Sequence, residues 1–169
     1  MRQAWGMLVM VLAVIVVGAP SGADASGCLL PPVDAPVVRP FEAPPCPWCA
    51  GHRGLSYVVA PGTSVRAAAA GTVTFSGTVV DVLYLVVRHG DGLVATYGGL
   101  RSTSLAAGDA VTTGSTVGRS TGELFFGLRT GPDTYIDPAP RLGRLVIPAY
   151  LVPTDGTPRR PPPAPELRC

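Results

Sequence analysis

Between Ser64 and Pro138 the apolar residues come in short runs and alternations broken by glycine. "SVRAAAAGTVTFSG" sets β-branched and aromatic residues between two glycines. "DVLYLVVRHG" runs into "DGLVATYGGL", and the intervening "HGDG" is a hairpin turn signal. "AVTTGSTVGRSTG" and "ELFFGLRT" continue at the same short spacing. "DTYIDP" closes the series, because Pro138 has no N–H to give to a ladder. No part of 50–142 carries a helical period of useful length. The pattern predicts an all-β domain of short strands, a sandwich or barrel-like sheet. Phe125 and Phe126 are neighbours on one strand and so point to opposite faces, one toward the core and one toward the outside.

The flanks read differently. Residues 1–25 hold one Arg and an apolar run from Met7 to Gly18, then small residues with Ala23 and Ala25 in an A-x-A pattern. This is the build of a secretory signal peptide cleaved after Ala25, which places the protein outside the cytoplasm, secreted or at the cell envelope. An uncleaved anchor and a lipidated Cys28 are the two other readings, and the only ones that involve a membrane. Residues 26–49 form a Pro-rich lead-in that carries cysteines. Residues 50–142 are the folded domain. Residues 143–169 are an extension whose end, "PTDGTPRRPPPAPELRC", reads as an extended, solvated spacer.

Charge excludes little. The net charge is +2, and all 13 basic residues are Arg, with nothing that marks nucleic-acid binding. The four cysteines, Cys28, Cys46, Cys49 and Cys169, are expected to be oxidised in an exported chain, and three pairings are open. Cys46, Cys49 and His52 form C-x2-C-x2-H, a spacing that also suits a metal, with Glu123 as a fourth ligand if the fold brings it near. Oxidation would remove that option, since a thiolate is what binds metal.

Read in order, five segments resemble the lysostaphin-type (LytM-like) zinc metallopeptidase family. "GHRGLS" stands where that family has H-x-G-x-D. "APGTSVRAAAAGTVTFSG" matches A-x-x-G-T-P-V-x-A-x-x-x-G-x-V-x-x-x-G. "VVRHGDGLVATYGGL" matches H-G-x-G-x-x-T-x-Y-x-H-L. "AAGDAVTTGSTVGRSTG" matches a repeat of glycines and valines, and "ELFFGLRTGPDTYIDPAPRL" sits where H-L-H-F-E and a D-P segment belong. The resemblance implies a compact, mostly antiparallel β domain with a groove across its main sheet. It implies a cell-wall peptide as ligand and zinc as cofactor.

The departures decide the chemistry. The resemblance places the zinc ligands at His52, Ser56 and Phe125, where the family has His, Asp and His. It places the two other catalytic histidines at Glu123 and Gly99. Zinc hydrolysis needs about three protein ligands and an open water position. Serine brings no charge to offset the metal, phenylalanine cannot ligate, and glycine offers neither base nor hydrogen bond. The other histidine, His89, lies in the "HGDG" turn, where the family's His is not a ligand. No catalytic residue and no zinc are therefore expected, and His52 is a retained ligand without partners. The expected reading is a degenerate peptidase domain that binds peptidoglycan or regulates a cell-wall hydrolase. The alternative is an active metalloendopeptidase with a rearranged site. Tyr97, Glu123 and Phe125 are the expected groove residues, with Trp48 beside the entrance.

Overall fold

The computed structural model describes residues 27–46, 48–149, 161, 164 and 166–169. The proposed signal peptide with Ala25 and most of the Pro-rich tail lie outside the described residues. The strands are β1 Val37–Arg39, β2 Leu55–Val58, β3 Ser64–Arg66, β4 Gly71–Val79, β5 Val82–His89, β6 Val94–Ser102, β7 Ala110–Val111, β8 Thr116–Arg129, β9 Tyr135–Ile136, β10 Arg144–Val146 and β11 Glu166–Arg168. A single 3-10 turn spans Ala139–Arg141.

Nine of these strands make one antiparallel sheet in the order β1-β2-β8-β6-β5-β4-β7, with β3 and β9 attached to β8. The all-β antiparallel expectation holds, but the sheet stays open and does not close into a barrel. On β5, Leu85 and Val87 are fully buried while Tyr84 and Val86 face outward. That alternation follows from the two-residue period of a strand. The "HGDG" turn forms as expected, with the His89 N–H donating to the Leu93 carbonyl at 2.8 Å. The β4–β5 turn was not signalled by glycine. It places Val80 and Asp81 at φ 46° and 67°. Positive φ at both central residues is the mark of a type I′ hairpin turn, and a β-branched residue rarely adopts it.

The two segments "AVTTGSTVGRSTG" and "ELFFGLRT" contribute to one long strand, β8, rather than two. Its first part pairs with β3 and its second with β2. Gly122 at φ 133° and register breaks against β6 let the strand bend between the two.

The lead-in is more than a spacer. Leu29, Leu30 and Val33 are 3%, 8% and 2% exposed and close one end of the core. The Leu30 N–H donates to the Ala68 carbonyl at 2.8 Å. The far end of the tail is also folded, through the β10–β11 ladder and a Cys28–Cys169 disulfide. Among the three open pairings the structure takes this one, together with Cys46–Cys49, and leaves no free cysteine. Among the described residues no helix is long and apolar enough to cross a membrane.

Candidate functional site

β2 sends Leu55 and Tyr57 into the core and leaves Ser56 half-buried on the outer face. His52 sits four residues earlier, pinned by reciprocal backbone hydrogen bonds with Glu42 of 2.8 and 2.9 Å. Its Nδ1 lies 2.8 Å from the Pro40 carbonyl oxygen. A carbonyl only accepts, so Nδ1 carries the proton and Nε2 the lone pair. Nε2 accepts from the Ser56 hydroxyl at 3.0 Å. Phe125 stands opposite Ser56 across the β2–β8 ladder. Its ring meets the His52 imidazole edge to face, with centroids 5.6 Å apart.

The fold therefore brings His52, Ser56 and Phe125 to one point. A carbonyl-held Nδ1–H is the usual way a metal-binding imidazole is oriented. What surrounds Nε2, however, is a neutral hydroxyl and a hydrocarbon ring. One nitrogen donor and no carboxylate do not fit zinc. Among the described residues no cluster of three His, Cys, Asp or Glu side chains could hold a metal.

Four further placements correct the sequence reading. The Cys46–Cys49 disulfide consumes both thiolates, so the Cys46, Cys49, His52 metal site does not form. Tyr97 is not on the groove floor. It is fully buried on the core face of β6, where its hydroxyl accepts the Ala68 N–H at 2.8 Å and burial pushes its pKa well up. The parity of the strand decides this, because Thr96 and Gly98 take the outer face. Trp48 is 93% exposed and is not among the residues lining the groove beside Phe125. Glu123 is exposed on the same face as Phe125 but does not line the groove either.

Gly99 and Glu123 do come together, through their backbones. Gly99 has φ +77°, and a Cβ there would overlap the Glu123 carbonyl oxygen. Position 99 is therefore closed to a side chain by the main chain of β8. His89 lies on the core face of β5, with Nδ1 donating to the Ala70 carbonyl at 2.9 Å, far from forming a substitute.

Beside Phe125 the outer face holds a groove of about 390 Å³, lined by Arg53, Phe75, Val79, Tyr84, Val86, Thr96, Phe125, Gly127, Arg129 and Tyr135. Its floor uses glycines. The Tyr84 ring lies where a Cβ of Gly98 would be, and the Phe125 ring crowds the Cβ positions of Gly54 and Gly127. Arg53 donates to the Cys49 carbonyl at 3.4 Å and stands 5.5 Å over the Tyr135 ring. Of the expected groove residues only Phe125 is here. Arg53, Phe75, Tyr84, Arg129 and Tyr135 were not singled out from sequence. The signal was the outward parity of β5 and β8, legible only once the core face is known. A larger hollow of about 590 Å³ lies between the lead-in and β3. It holds the Arg66–Asp34 ion pair (2.7 Å) and none of the residues just described.

Comparison with known proteins agrees with this geometry. Residues 50–137, just over half of the chain, match Peptidase family M23. Uncharacterized proteins of Mycobacterium bovis and Mycobacterium tuberculosis are 36% identical over 99 residues, which is 57% of this chain and 39% of theirs. The chain thus spans about two fifths of the curated relatives it matches. Helicobacter pylori Csd3 superposes with TM-score 0.59 at 26% identity, over 70% of this chain and 35% of that one. The catalytic domain of lysostaphin from Staphylococcus simulans gives TM-score 0.55 at 22% identity, over 63% and 90%. A structure of the SpoIIQ–SpoIIIAH pore forming complex gives 0.59 at 19%, over 68% and 90%. Motif order, sheet and the matched span agree that this chain belongs to Peptidase family M23, as a LytM-like β domain.

Proposed function

We propose that this protein is an exported M23 domain that does not hydrolyse by the family's zinc route and uses its groove to bind peptidoglycan. The observation that carries the reading is the environment of His52. Its one available nitrogen is taken by Ser56 and edged by Phe125, while the adjoining groove stays open and aromatic. Two disulfides and the A-x-A leader pattern support an oxidising compartment. Loss of zinc removes both the polarised carbonyl and the activated water. A groove of this size with four aromatic rings keeps the means to hold a short peptide.

A second reading, contact with a partner protein such as a cell-wall hydrolase, draws on one similarity. The SpoIIQ structure is that of a complex with SpoIIIAH, at an identity that establishes fold alone. The test is twofold. Zinc titration by calorimetry on the full chain, with a thiol count, is expected to show neither binding nor free thiols. Co-sedimentation with purified sacculi is expected to pellet the protein. Stoichiometric zinc binding with peptide cleavage would overturn the loss of chemistry. Absence from the pellet would overturn peptidoglycan binding.

A further inference from the structure

The groove is apolar at its floor and one-sided in charge at its wall. Arg53 and Arg129 both line it, and no acidic residue is among its described lining residues. Arg129 is the more telling of the two. Its Nη1 donates to the Pro132 carbonyl at 3.2 Å, yet among the described residues its buried Nε has no hydrogen-bond partner and the side chain makes no ion pair. A guanidinium half-withdrawn from water, in a groove with no acidic lining residue, is costly unless a counter-charge arrives. Three neighbours fix where that ligand sits. Arg129 faces Tyr135 across the β8–β9 ladder, and the Phe125 ring lies over Gly127, one step along the outer face. Arg53 is steered over the Tyr135 ring on the other side.

We infer that the groove takes a peptide bearing a carboxylate, which docks on Arg129 while its apolar part lies on Phe125 and Tyr84. This rests on the peptidoglycan-binding reading above and names the group on the ligand that the groove selects. A planar carboxylate matches the fork of a guanidinium and balances its charge. The aromatic floor then recognises small alkyl groups rather than charge. Glu123, exposed beyond Phe125 on the same face, sets an acidic limit at the opposite end and so favours one orientation of the chain.

The test compares native sacculi with sacculi whose free carboxyl groups have been converted to amides, using the full chain. Amidation is expected to lower the apparent affinity about tenfold, the scale of one charge-assisted contact. Arg129→Gln is expected to lose about the same factor on native sacculi and nothing further on amidated ones. Arg101→Gln, an exposed arginine outside the groove, controls for general charge and is expected to change neither. Equal sedimentation with both kinds of sacculi would overturn the carboxylate assignment and leave the binding reading standing. Failure to sediment with either would overturn both. The amidation arm needs no variant, so a folding defect in Arg129→Gln would not blunt it.

Discussion

On β8, Leu124, Phe126 and Leu128 point into the core while Phe125, Gly127 and Arg129 point away from it. Consecutive residues of one strand thus live under different rules. The inner face is dense and apolar, joined by the fully buried Tyr97 and Phe126, whose rings lie 5.3 Å apart between centroids. The outer face carries the motif positions, where an aromatic ring, a hydroxyl and main chain surround His52 and Gly99. Because the strand period is two, a substitution on one face leaves the other untouched. A fold can therefore be kept while its outer face changes, since the contacts that maintain the sheet are not those that line the groove.

That contrast can be broken most forcefully from the inside. Phe126→Ala is expected to destabilise the domain by about 4 kcal/mol, whereas Phe125→Ala is expected to cost under about 1 kcal/mol. Urea unfolding of the two variants side by side measures the difference, and equal losses would mean that the outer face is structural too.

Editing the outer face back is the complementary test. Ser56→Asp with Phe125→His restores a carboxylate and an imidazole beside His52 Nε2. With zinc at a hundredfold excess over its Kd, the double variant is expected to gain about 2.7 kcal/mol, and the natural chain nothing. A thermal melt with and without zinc reads it. A double variant indifferent to zinc would show that the three positions do not converge as described. Gly99 is not part of this repair. Gly99→Ala is expected to cost about 2 kcal/mol, because positive φ and the Glu123 carbonyl both oppose a Cβ. Retained stability would mean that the β6–β8 bulge is easily rearranged.

Smaller effects sharpen the picture. Tyr97→Phe leaves the Ala68 N–H without its buried acceptor and is expected to cost about 1 kcal/mol, read by denaturation at neutral pH. The smallest effect concerns Asp34. The hydrogen bond from Arg66 holds its carboxyl below the ordinary 3.8. A depressed folded pKa gives stability that is present above 3.8 and lost as pH falls through the folded value. The difference between the natural chain and Asp34→Asn is therefore expected to be slight at pH 7, because the pair is solvent-exposed, and to vanish in strong acid.

Strand identity, the "HGDG" hairpin and the two faces of Phe125 and Phe126 were legible because alternation and turn chemistry are local. The structure brings His52, Ser56 and Phe125, read from the order of motifs, into contact. Other features depended on partners distant in the chain. Leu29 and Val33 became core through contact with the sheet's end, in a segment whose own backbone has no strand period to announce it. Cys28 found Cys169 across 141 residues, a choice among three that spacing does not make. Tyr97 took the inner face because the register of β6 against β8 put it there, and Gly99 turned out to be closed off by a carbonyl of the neighbouring strand. The sequence by itself determined which elements form and which residue types stand at the motif positions, since both follow from residue type and near neighbours. Only the tertiary structure decided which side chains share the groove, because register and bulges set the facing of each strand.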